Sequence, residues 1–203
     1  MIAKRYRHFT FRKSLKKGAY TMDHTLIEHL CAGNRRYLAG EAAGDVSAAV
    51  RLETAENGQH PKAIVIACSD SRVIPEAIFN AGIGELFTIR VAGNVLDRHQ
   101  LGSIEYAAAH LHCPLILVLG HTGCGAVGAA LSGGGEGYIQ YITDEILRAV
   151  GKERDADTAC RMNVEHAVET IRHAFRDHPE IPSANLEIRG AVYDIRTGEV
   201  NWL

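Results

Sequence analysis

The sequence predicts an α/β fold: a mainly parallel central sheet with flanking helices and an antiparallel edge at the C-terminus. Three observations carry that expectation. The runs KAIVIA (62–67), LFTIR (86–90) and LILVLG (115–120) are short and mostly apolar, the first rich in β-branched residues, as buried parallel strands are. Stretches with helical spacing separate them, and that alternation is the mark of a parallel sheet. The last residues, 186–194 and 199–203, alternate around Arg196-Thr197-Gly198, which predicts a closing hairpin.

Residues 1–20 are basic and contain no Asp or Glu. They have no apolar h-region and do not read as a secretory signal. Residues 1–21 are expected to be a solvated, disordered extension, with Met22 as an alternative start, and 22–203 a single α/β domain. From Asp23, a candidate N-cap, Leu26, Ile27, Leu30, Tyr37 and Leu38 predict a helix that Gly40 ends. A weak helix follows over 48–56, stopped by Asn57-Gly58. After the first strand, Pro75 opens a helix through Phe79, since proline suits a first helical turn. Beyond the second strand, Ala92-Gly93-Asn94 predicts a turn where backbone can approach a ligand closely. A helix over 101–111, the third strand and a helix from near Gly123 come next. Gly133-Gly134-Gly135 interrupts the pattern, and helices over 138–150 and 157–175 precede the hairpin.

The chain has 203 residues, 46% hydrophobic and 23% charged, with a formal net charge of −2. That balance points to neither nucleic acid nor a membrane surface as partner. No apolar run approaches the roughly 18–20 residues of a membrane-spanning helix. Five cysteines without a small-scaffold spacing predict a reducing, cytoplasmic location and thiols free for metal. The basic N-terminus leaves organelle targeting open.

The chemistry is concentrated in two strand ends, ACSDSR (67–72) and GHTGCG (120–125). Open α/β sheets collect ligands at the carboxyl ends of their strands. Cys68, His121 and Cys124 are therefore expected on one sheet edge, as a three-ligand site with a free fourth corner. Two thiolates and an imidazole suit Zn2+, and three protein ligands is the catalytic rather than the structural pattern. The spacing of His121 and Cys124 predicts that both lie on one face of a first helical turn, where a thiolate is favoured. Asp70 could be the fourth ligand in a closed state, or sit beside a metal-bound water. Arg72 decides between these, because a guanidinium fork holds a carboxylate ionised and off the metal. Two thiolates cancel the charge of Zn2+, so activity should rise from neutral into mildly alkaline pH. Cys68 as a phosphatase-type nucleophile is rejected, because CSDSR is too short to wrap a phosphate.

With these residues in place, the chain from about Leu30 to Leu203 resembles the β-class carbonic anhydrases. CSDSR and GHTGCG carry the likeness, and SRVIPEAIF, GELFTIRVAGN, LGSIEYAAAHL and GAVYDIRTGEVNWL support it. The resemblance implies zinc held by Cys68, His121 and Cys124, with Asp70 and Arg72 as a catalytic dyad. It implies reversible hydration of CO2 to bicarbonate and a proton, by a metal-bound hydroxide that the dyad orients. It also implies a substrate pocket with Gln59, Phe87, Ala92, Gly93 and Tyr106, part of it supplied by a neighbouring subunit, hence a homodimer or higher homo-oligomer. Two departures stand out. Val65 occupies the place of a tryptophan found in a bicarbonate-regulated subgroup, and Val91 follows Arg90 where asparagine is common. The competing readings are a COS or CS2 hydrolase on the same scaffold, and a zinc-binding regulatory module without turnover.

Overall fold

The computed structural model describes residues 24–42, 44–181 and 186–203. The expected extension over 1–21, the start at Met22 and the cap at Asp23 lie outside the described residues. Among the described residues, five strands form one sheet in the order β2-β1-β3-β4-β5. β1 (Ala63–Ala67) and β3 (Leu115–His121) are buried along their whole length. That is why their sequences are continuous apolar runs: helices cover both faces of a parallel sheet. β2 (Leu86–Arg90), β1, β3 and β4 (Glu187–Tyr193) run parallel, and β5 (Val200–Trp202) closes antiparallel on β4. The predicted architecture, including the antiparallel edge, is the one observed.

The two faces divide the strand side chains with period two. Ile64, Ile66, Ile116 and Val118 pack with Ile104, Val164, Val168, Ile171 and Phe175. These belong to α4 (Arg98–Glu105) and to the long α7 (Ala156–Phe175). Ala63, Val65, Ala67, Leu115, Leu117 and Leu119 point the other way, onto Leu30 and Ile78. Those residues lie on α1 (His24–Leu38) and the short α3 (Pro75–Ile78), while α2 (Ala48–Asn57) buries nothing. A third apolar cluster joins Val127, Ala130, Ile146, Val150 and Ala159 around Cys68 and Cys124. It is built from α5 (Gly125–Leu131), α6 (Ile139–Val150) and the start of α7. An apolar cluster therefore packs beneath the carboxyl edge of the sheet, an apolar floor under Cys68 and Cys124.

Local chemistry sets the element ends. Asp97 accepts from the His99 N–H while Gln100 accepts from the Asp97 N–H, a reciprocal cap that starts α4. Asp155 caps α7 through the Thr158 N–H at 2.9 Å. The helix expected over 101–111 begins earlier, at Arg98, and changes to a π-helical turn over Tyr106–His110. Asn34 is 7% exposed and ties α1 to the rest. Its amide donates to the carbonyls of Ile78 and Gly198 and accepts from the Val200 N–H. Among the described residues, no helix is long and apolar enough to cross a membrane.

Candidate metal centre

Cys68 leaves the end of β1, His121 is the last residue of β3, and Cys124 stands just before α5. One ligand atom from each lies within 4.8 Å of the others, and all three residues are buried. The convergence expected from sequence is present, but its local cause differs. His121 and Cys124 do not share a helical turn: Cys124 is extended, with φ −66° and ψ 120°. Gly123, at φ +63°, reverses the chain between them, in a left-handed conformation that glycine adopts without a Cβ penalty.

His121 is prepared as a ligand. Its Nδ1 lies 3.0 Å from the Thr122 carbonyl, so Nδ1–H donates there and Nε2 carries the lone pair. Nε2 is fully buried and has no hydrogen-bond partner among the described residues. A buried imidazole nitrogen without a partner costs free energy unless something binds it. With two thiols beside it, the donor set fits a soft divalent cation of the zinc type.

A hydrogen bond from the Cys124 thiol pulls Cys68 below the ordinary thiol range, and the same bond pushes Cys124 up. Cys68 Sγ also accepts from the Asp70 N–H at 3.4 Å and the Gly93 N–H at 3.2 Å. At Gly93, where the sequence predicts approach to a ligand, the backbone comes close to a sulfur of the cluster. Gly93 sits at φ +66°, and a Cβ there would lie 2.8 Å from Ile146 Cδ1. Burial pushes the Cys113 thiol up to about 12 and Cys160 up to about 11, so neither is a ready nucleophile.

Asp70 is gripped by Arg72. Nε donates to Oδ1 at 2.9 Å and Nη2 to Oδ2 at 2.7 Å, and the Arg72 backbone N–H adds a third bond at 2.9 Å. The guanidinium holds the Asp70 carboxyl well below the usual carboxylate range. Asp70 Oδ2 lies 4.0 Å from His121 Nε2, beside the three ligand atoms but outside their set. Arg72 also reaches the Gly123 carbonyl at 3.4 Å, joining the two loops.

Several supporting residues escaped the reading of the sequence. Cys160 donates to the His121 carbonyl at 3.1 Å, and Asn163, 3% exposed, donates to the Gly93 carbonyl at 2.8 Å. Arg90 bonds the carbonyls of Cys68 and Asp70 at 3.0 and 2.6 Å. The HxxC and DxR spacings name the residues that face a ligand, and no comparable spacing marks those behind them.

The expected pocket residues divide. Ala92 and Gly93 are at the cluster, in the 3-10 turn after β2. Phe87 pairs in register with Ile64, about 13 Å back from the Cys68 level at ~3.3 Å per residue. Tyr106 is 47% exposed and packs on Phe87, with ring centroids 6.3 Å apart. Gln59 is exposed on the loop entering the amino end of β1. Within one chain these three are not gathered with the cysteines.

A family model described as carbonic anhydrase matches residues 63–200. Carbonic anhydrase 2 of Mycobacterium tuberculosis is 34% identical over 177 residues, covering 82% of this chain and 86% of that relative. The chain is similar in structure to the β-carbonic anhydrase CafA of Aspergillus fumigatus, with a TM-score of 0.66. That match has 27% identity and covers 75% of this chain and 79% of that one. A structure from Sordaria macrospora, titled as one of two tetrameric β-carbonic anhydrases, matches with a TM-score of 0.57. There the identity is 28%, over 77% of this chain and 91% of the other.

Proposed function

This chain belongs to the β-class carbonic anhydrases, lyases that use zinc, and on that premise we propose that Cys68, His121 and Cys124 hold the zinc ion while Asp70 and Arg72 orient the attack on CO2. The observation that carries the reading is the buried, unpartnered His121 Nε2 facing two thiols. Zinc held there supplies a Lewis acid that makes water far more acidic than bulk water.

The remaining work falls to the chain. Asp70 stays ionised because Arg72 occupies both its oxygens, and an ionised carboxylate can only accept a hydrogen bond. An oxygen nucleophile that donates its one O–H to Asp70 presents a lone pair toward CO2. Arg72 fixes the direction of that acceptance through its fork. The apolar floor of Val127, Ala130, Ile146 and Ala159 suits a small uncharged substrate. Asp70 held this way is kept from closing the site, which argues against a module without turnover.

Residues 22–203 form the catalytic unit in this reading. Gln59, Phe87 and Tyr106 line the site of a second copy, since they stand at the far end of the sheet in their own. Tetramers in the similar Sordaria protein support a homo-oligomer here. The deciding experiment is stopped-flow CO2 hydration from pH 6 to 9 on protein of measured zinc content, with COS and CS2 as rival substrates. Zinc-dependent CO2 hydration that rises toward alkaline pH is expected. Zinc-loaded protein with no turnover of CO2 would overturn the reading, and turnover of COS or CS2 alone would replace it.

A further inference from the structure

We propose that Arg90 is the positioning residue that fixes the main chain of Asp70 and so keeps its carboxylate from closing over the metal position. The inference rests on the metal site assigned above. Arg90 ends β2 in register with Ala67, so it stands beside the chain as that chain leaves β1. The Val91 N–H donates to the Ala67 carbonyl at 3.1 Å and the Ser69 N–H to the Val91 carbonyl at 3.2 Å, which brings the two strand ends together. Across that junction Arg90 Nε donates to the Cys68 carbonyl at 3.0 Å, and Nη2 to the Asp70 carbonyl at 2.6 Å. One planar fork thus spans Ser69 and holds the backbone on both sides of it. A lysine ammonium, a single compact charge on a flexible stem, has no such fork.

The side chain of Asp70 depends on Arg72, which is 55% exposed, and exposed ion pairs yield to water. Asp70 Oδ2 already lies 4.0 Å from His121 Nε2. A small main-chain shift would carry a carboxylate oxygen onto a bound cation. Arg90 opposes that shift from the backbone side, independently of the Arg72 grip. Its hydrogen bonds go to main-chain carbonyls rather than to the ligand atoms, and it acts through Asp70.

The test compares Arg90→Gln and Arg90→Lys with the wild type, each as the zinc protein and with zinc replaced by cobalt(II). Both variants should retain metal and melt near the wild type. Their CO2 hydration should fall about 10- to 100-fold, as losses behind a metal site do. The visible absorption of the cobalt forms should change without any substrate and lose its dependence on pH, as carboxylate takes the place of solvent. In an Asp70→Asn background, adding Arg90→Gln should leave the cobalt spectrum unchanged. A wild-type cobalt spectrum in Arg90→Gln would overturn the proposal, as would full activity in Arg90→Lys or a further spectral change in the double variant. The spectrum needs no turnover, so a wild type inactive toward CO2 would refute the functional reading and still let the cobalt spectra decide the clamp.

Discussion

The two ends of β1 solve opposite problems. At the amino end, Lys62 meets Glu85 at 2.6 Å and His29 Nε2 at 3.4 Å, and Glu85 also accepts from the Gly82 N–H. The groups there answer one another, and Lys62 and Glu85 remain 42% and 32% exposed. At the carboxyl end, His121 is fully buried with Nε2 unanswered, and the nearby Asn94 Nδ2 is likewise buried without a partner among the described residues. A protein normally satisfies its buried polar atoms. Asn34, 7% exposed with its amide oxygen and nitrogen both bonded, shows that this chain does so elsewhere. Its failure at the carboxyl end, beside two thiols, is what marks that end for a ligand.

The contrast is tested most severely by removing a donor. Cys68→Ala or Cys124→Ala should lower zinc affinity on the order of 1,000-fold or more, because the binding free energy of such a site is large and shared by few ligands. Metal analysis after dialysis checks this, and a variant that kept stoichiometric zinc would show that the cluster is not the site. Asp70→Asn and Arg72→Ala should instead keep zinc and lower kcat/KM for CO2 by roughly 100- to 10,000-fold, the range for a positioned proton acceptor. Stopped-flow rates near the wild type would remove the pair from the mechanism. Ligand and dyad losses are thus separable by asking whether metal stays.

Gly93→Ala comes next in size. The substitution forces a left-handed φ on a residue with a Cβ and drives that Cβ to 2.8 Å from Ile146 Cδ1. A cost of about 1–3 kcal/mol is expected. At roughly 2–4 °C per kcal/mol for a chain of this size, calorimetry should resolve it. Activity should fall as well, since the Gly93 N–H bonds Cys68 Sγ. A stable, fully active variant would mean that the turn at 92–94 relaxes freely.

The parallel strands and the cluster were legible for a physical reason. Fully buried parallel strands must be continuous apolar runs, and β1 and β3 are. Their carboxyl ends then had to carry the chemistry. What local spacing could not convey was anything set by register or by distant packing. Arg90 reaches Cys68 only because β2 pairs with β1 at Ala67, and Asn163 reaches Gly93 only because α7 lies over the sheet. The HxxC spacing of HTGC fits a helical turn, whereas a left-handed Gly123 brings the same two side chains together before the helix begins. Gln59, Phe87 and Tyr106 belong to an expectation about a second subunit, which one chain does not contain.

The smallest effects belong to the amino end, and they carry a sign. His29 is held below its ordinary 6.5, first by burial and then by the neighbouring Lys62 charge. The unfolded chain therefore takes up the proton before the folded one does. This group's contribution to stability is intact above about pH 6.5, declines as pH falls from there through the lowered folded value, and is level below it. Lys62→Met removes a cause of the shift and an exposed ion pair worth about 0–1 kcal/mol. Its unfolding free energy should stay within that range of the wild type at pH 7.5, and the loss between pH 7.5 and 5 should be smaller. Subtracting the same measurement on His29→Gln isolates the histidine from other titrating groups. Zinc content should not change, because the pair lies at the opposite end of β1 from Cys68. A Lys62→Met protein with impaired metal binding would show that the two ends of the strand are energetically one site.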